Sequence, residues 1–125
     1  LDAQRAFLAL CFATRPDQAT FERLLGNAAL ASWDMGRGVF MMETAAAAKG
    51  LAGAWVPLLL LYGERDALVN TGPTVARARQ LNPRAASLLY ADSGHAPFLE
   101  EPQRFNRDLA RFADAAQGPR ADNVK

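Results

Sequence analysis

One histidine and one cysteine among 125 residues are too few to build a metal cluster, and a lone cysteine closes no internal disulfide. Charge of one sign is also missing. Fourteen Lys and Arg stand against thirteen Asp and Glu, interspersed, so neither nucleic acid nor an anionic membrane is indicated as a partner. No stretch approaches the roughly 18 uninterrupted apolar residues of a membrane span. The opening Leu1-Asp2-Ala3-Gln4-Arg5 lacks the basic-then-apolar order of a signal peptide. It also lacks an initiator methionine, and the expectation is that the sequence begins partway through a longer protein. Internal repeats, phosphate-cradling glycine loops and low-complexity tracts beyond Ala45–Ala48 are absent, so neither a cofactor nor a metal is expected. Cys11, inside the apolar run Phe7–Ala13, reads as a buried, inert thiol, which fits a cytoplasmic protein.

What is present is the composition of a globular domain, 50% hydrophobic and 22% charged. The texture changes near Trp55. Before it, Ala6, Phe7, Leu10 and Cys11 follow the i, i+3, i+4 spacing of one helical face. Pro16 and Asp17 punctuate and cap a second helix with Phe21, Leu24 and Leu25 inward, which Gly26 and Asn27 are expected to end or interrupt. A third helix is predicted from about Arg37 to Lys49, closed by Gly50. Residues 1–54 thus read as a helical lid or cap.

Residues 55–116 alternate strand and helix. Val56–Tyr62 is an unbroken apolar run with the character of a strand buried on both faces. Pro73 suits the first turn of a helix, Thr74–Leu81, stopped at Asn82-Pro83. Ala86–Ala91 reads as the next strand. Pro102 opens a last helix with Phe105, Leu109 and Phe112 on one stripe, and 117–125 is a polar tail. The fold class is α/β, a helical lid followed by a βαβα unit.

A strand–helix–strand unit of these lengths makes the strands parallel, with their C-terminal ends on one edge. Neighbouring strands lie about 4.8 Å apart, so the turns holding Asp66 and His95 should meet. Either residue alone would pass for a turn aspartate or a loop histidine bonded to backbone. Together they can form an acid–base relay, the carboxylate fixing the tautomer of the imidazole.

These residues resemble the C-terminal part of the α/β-hydrolase superfamily. The likeness runs from Val56-Pro57-Leu58-Leu59-Leu60-Leu61-Tyr62-Gly63-Glu64-Arg65-Asp66 through Ser93-Gly94-His95-Ala96-Pro97-Phe98 to Glu101-Pro102-Gln103-Arg104-Phe105, about half the chain. The style is similar to small bacterial carboxylesterases, including pimeloyl-carrier methyl ester esterases and non-haem haloperoxidase-like members. The resemblance implies a catalytic triad in which Asp66 and His95 are the acid and the base.

The departure is the nucleophile. No G-x-S-x-G elbow occurs, and none of the three serines, Ser32, Ser87 and Ser93, has that setting. The early glycine-rich loop that supplies oxyanion donors is missing too. The expected function is therefore part of a serine hydrolase acting on a small carboxylic ester, inactive alone for want of a serine. The same relay would serve an aspartate-nucleophile dehalogenase or epoxide hydrolase, and a non-catalytic interaction module on the same scaffold is the other alternative. Trp33, Phe40, Met41 and Phe98 are candidates for an acyl pocket, or for packing between cap helices and core. Glu64, Arg65 and Arg104 read as rim charges. Two strands leave an apolar edge, so self-association or pairing with a missing N-terminal half is expected.

Overall fold

A computed structural model describes residues 1–31, 38, 41 and 44–117. Among the described residues, the helices α1 (Asp2–Leu10), α2 (Gln18–Ala29) and α3 (Thr44–Gly53) precede the sheet. There follow β1 (Leu59–Gly63), α4 (Thr71–Leu81), β2 (Ala86–Tyr90), a four-residue helix α5 (Pro97–Glu100) and α6 (Pro102–Gln117). The two strands pair in parallel, with Leu59 opposite Ala86, Leu61 opposite Leu88 and Gly63 opposite Tyr90. Both strands therefore end at the same level, where the next residues of each must turn.

The Asp17 side chain accepts the Thr20 N–H at 3.0 Å and caps α2. The helix runs on through Gly26 and Asn27 to Ala29 instead of breaking there. Its buried anchors explain this. Phe21 is fully buried and Leu25 nearly so, which outweighs the roughly 1 kcal/mol that a mid-helix glycine costs. Arg5 clamps α1 to α2 through two bonds to Glu22, at 2.6 and 3.1 Å.

Gly50 likewise fails to close α3, which continues to Gly53. The run Ala45–Ala48 favours helix, and the end of α3 finds partners downstream. Asn82 Nδ2 donates to the carbonyls of Leu51 and Ala54 at 3.0 and 3.1 Å, and the Arg84 guanidinium adds a second bond to Ala54. These bonds satisfy acceptors that helix ends leave open and fasten α3 to the α4–β2 connection. The predicted onset of this helix near Arg37 lies outside the described residues.

Buried side chains of the half after Trp55 lie on α4, just before β2 and at the end of β2. Val75, Ala78 and Ala85 are buried, and Tyr90 is fully enclosed. The Tyr90 hydroxyl donates to Asp108 at 2.9 Å, and the Arg104 guanidinium stacks 4.1 Å above its ring while donating to the Leu89 carbonyl at 2.7 Å. Arg104 is thus a packing residue that ties α6 to β2, and not a rim charge. Burial and the neighbouring Asp108 carboxylate push the Tyr90 phenol up to about 12.

Two further expectations change. The apolar run 56–62 forms a strand only from Leu59, and its residues are half-buried, not enclosed on both faces. A strand with one hydrogen-bonded neighbour keeps its other edge open. On α6, Phe105 and Phe112 are half-buried, but Leu109 of the same stripe is exposed. Among the described residues no helix is long and apolar enough to cross a membrane.

Candidate active site

The site is built on the two turns that follow β1 and β2. The strand ladder continues briefly past Gly63, because Glu64 N–H donates to the Tyr90 carbonyl at 2.9 Å and Arg65 N–H to the Ser93 carbonyl at 3.0 Å. A Cβ on Gly63 would collide with the carbonyl oxygens of Ser93 and Gly94. The residue must be glycine for the turns to touch. Thr71, at the start of α4, donates its hydroxyl to the Gly63 carbonyl at 2.7 Å and holds the end of β1 from the other side.

Asp66 folds back on its own turn. Its Oδ1 accepts the N–H groups of Leu68 and Val69 at 2.8 and 3.0 Å, an Asx-type arrangement. Its Oδ2 lies 2.7 Å from His95 Nδ1. The aspartate side chain is only 4% exposed, whereas that of His95 is 48% exposed. Burial pushes the Asp66 carboxyl up, but the hydrogen bonds from His95, Leu68 and Val69 and the attraction of the imidazole prevail and leave it below the ordinary value. The carboxylate is therefore ionised at neutral pH and can only accept. Nδ1 must carry the proton, and Nε2 becomes the acceptor of the neutral ring.

The histidine turn is held by its own neighbours. His95 N–H donates to the Cys11 carbonyl at 2.9 Å. Gly94 N–H donates to Glu100 Oε2 at 2.7 Å, and the Ser93 hydroxyl donates to Glu101 Oε1 at 2.7 Å. A side chain on Gly94 would lie 2.6 Å from the Ala13 nitrogen. Sequence reasoning missed Glu100 and Glu101, and no local signal announces them. Their partners are 86 and 8 residues away in the longest cases, Thr14 for Glu100 and Ser93 for Glu101.

Cys11 is half-buried, not enclosed, because it caps the C-terminus of α1 beside this turn. Partial burial, then the nearby Asp66 charge, push its thiol up and away from nucleophilic character. Ser93 is fully buried against Glu101, and the Ser87 hydroxyl is engaged by the Arg79 guanidinium at 2.7 and 3.0 Å. Neither serine is presented to His95. Of the acyl-pocket candidates, Phe98 lies three residues past His95 on α5, 52% exposed, with its ring 6.1 Å from that of Phe105. Met41 is 79% exposed, and Trp33 and Phe40 lie outside the described residues. A polar cleft of about 470 Å³ opens beside Asp66 along residues 66–72. An apolar groove of about 530 Å³ runs between α3 and α4, lined by Leu51, Tyr62 and Leu81 among others. Among the described residues no group of three His, Cys, Asp or Glu side chains could hold a metal ion.

The fold has relatives. A crystal structure of a protein from Burkholderia cenocepacia, described as an aryl esterase, superimposes with a TM-score of 0.88 at 65% identity, over 93% of this chain and 42% of that one. An esterase from Exiguobacterium antarcticum superimposes over 89% of this chain and 41% of its own with a TM-score of 0.69, and at 20% identity it speaks for the fold alone. In sequence, the pimeloyl-[acyl-carrier protein] methyl ester esterase of Sodalis glossinidius is 34% identical over 76 residues, 61% of this chain and 29% of the relative. No protein-family model matches the chain. The chain thus spans about a third of the length of the curated relatives it matches, and less than half of the solved ones.

Proposed function

From the α/β-hydrolase fold of this chain, and its similarity to a solved bacterial esterase over 93% of its length and to a curated one over 61%, we propose that it supplies the acid and the base of a Ser-His-Asp triad. The reaction is hydrolysis of a small carboxylic ester. The observation that carries the reading is the 2.7 Å contact between His95 Nδ1 and a buried, ionised Asp66 carboxylate. That contact orients the ring, sets its tautomer and leaves Nε2 to do proton transfer.

In this scheme a serine from outside the chain attacks the ester carbonyl and passes its proton to His95 Nε2. Asp66 stabilises the imidazolium, and the proton then goes to the departing alkoxide. Water repeats the sequence on the acyl-enzyme and releases the acid. The oxyanion donors also come from outside the chain. Residues of the cap, Met41 among them, line the acyl side of the substrate together with Phe98 of α5.

Two consequences belong to the same reading. The chain by itself hydrolyses no ester, since its described serines are engaged elsewhere. The open edge of β1 takes a further strand, either from the segment that carries the serine or from a second copy. A fluorophosphonate probe tests the first point. Labelling is expected only when the serine-bearing segment is present and is expected to need His95. Labelling of this chain alone, or full labelling of a His95→Ala enzyme, would sink the proposal.

A further inference from the structure

Glu100 closes α5 one turn beyond the histidine, and its carboxylate is divided between two distant backbone amides. Oε2 accepts from Gly94 at 2.7 Å, and Oε1 accepts from Thr14 at 2.8 Å. Around it, His95 N–H donates to the Cys11 carbonyl, and the Ala13 nitrogen fills the place where a Gly94 side chain would stand. The stretch 11–14, which joins α1 to α2, therefore lies directly against the histidine turn, and one charged group bonds to both.

The energetics favour a purpose for this arrangement. Gly94 stands beyond the end of β2, so its amide has no sheet partner to fall back on. A carboxylate accepting from two N–H groups makes short, charge-assisted bonds, stronger than neutral ones. Glu101 works beside it by taking the Ser93 hydroxyl. Residues 93, 94 and 95 are thus each held by a separate partner, and Glu100 links the histidine turn by a side chain to the α1–α2 connection.

We propose that Glu100 is a positioning residue for His95. It fixes the peptide that leads into His95 against the α1–α2 connection, and so sets the direction from which the imidazole meets Asp66. Glu100 touches no reacting atom and acts through Gly94. Its bearing on turnover rests on the reading of His95 as the general base, whereas its effect on the ring geometry does not. A displacement of the α1–α2 connection is passed to the imidazole by the same route.

The test uses the 125-residue chain labelled with ¹³C and ¹⁵N, in which His95 is the only histidine and gives one set of ring signals. In the unaltered chain, scalar couplings across the hydrogen bonds from Gly94 and Thr14 to the Glu100 carboxyl carbon are expected, together with a protonated Nδ1. Glu100→Gln keeps the shape and one acceptor oxygen but turns an NH₂ group toward the other amide. One of the two amides should then exchange with solvent about 10- to 100-fold faster, the range for a lost bond to a charged group, and the Nδ1 proton signal should be lost. Val75→Ala, on the buried face of α4, weakens the chain elsewhere and should leave that signal in place. Absent couplings, an unchanged Nδ1 signal in Glu100→Gln, or the same loss in Val75→Ala would each overturn the proposal. Should Glu100→Gln not fold, the couplings in the unaltered chain decide. None of these measurements needs ester hydrolysis. An intact pattern in an enzyme indifferent to His95 would refute the catalytic reading and leave this one standing.

Discussion

Replacing Asp66 by asparagine changes one oxygen to nitrogen and almost no volume, yet it should disable His95. The remaining oxygen is claimed by the Leu68 and Val69 amides, at 2.8 and 3.0 Å. The new NH₂ group must then face His95 Nδ1, which in the native turn is itself a donor. Two donors cannot share a 2.7 Å contact. The ring gives way by moving its proton to Nε2, and Nε2 can no longer accept one from a serine. The serine proteases that define triad logic lose about 10⁴ in kcat from this exchange, equivalent to about 5 kcal/mol of barrier. Under the proposed function, a loss of similar size is expected in ester hydrolysis once this chain is joined to a serine-bearing segment. Stability should fall by about 2 kcal/mol, the worth of one bond to a charged acceptor. Steady-state ester hydrolysis reads the first number, denaturant unfolding the second, and ring ¹⁵N shifts of the sole histidine read the tautomer. An Asp66→Asn protein with its proton still on Nδ1 and its turnover intact would refute the reasoning.

Acid should weaken the chain partly through the same carboxyl. Its native pKa is depressed below the unfolded value of about 3.9, so its contribution is whole above that value and drains away as pH falls through the lower native one. Denaturant unfolding at successive pH values should show the gap between native and Asp66→Asn chains narrowing below about pH 4, and a constant gap would contradict the assignment. Gly63→Ala forces a methyl into the Ser93 and Gly94 carbonyls and should cost about 3 kcal/mol by overpacking, and an unchanged melting temperature would count against that close approach. Tyr90→Phe keeps the ring under Arg104 but drops the hydroxyl bond to Asp108. It should cost about 2 kcal/mol, and spectrophotometric titration should lose the tyrosine that ionises at about 12.

The half of the chain after Trp55 was legible because its signals are local and agree with one another. Pro73 and Pro102 both fall in the first turns of helices, and the two short apolar runs do become parallel strands. Parallel topology then carries the two turns to one edge, which is why Asp66 and His95 could be paired on paper before any distance was known. The helical half was harder. Gly26 and Gly50 look like stops, but the burial of Phe21 and Leu25 and the capping of α3 by Asn82 come from elsewhere in the chain and override them. Arg104 and Glu100 were unreadable for the same reason. Each takes its role from a partner that only the folded chain brings near.

The contact at Gly63 has a mechanical consequence. Because backbone meets backbone there with no side chain between, the spacing from the acidic turn to the basic one is gauged by main-chain atoms. Under the proposed function, residues around the rim can be exchanged to suit different esters while that gauge stays fixed. Substrate preference is in this sense free to drift, and the proton relay travels with the scaffold.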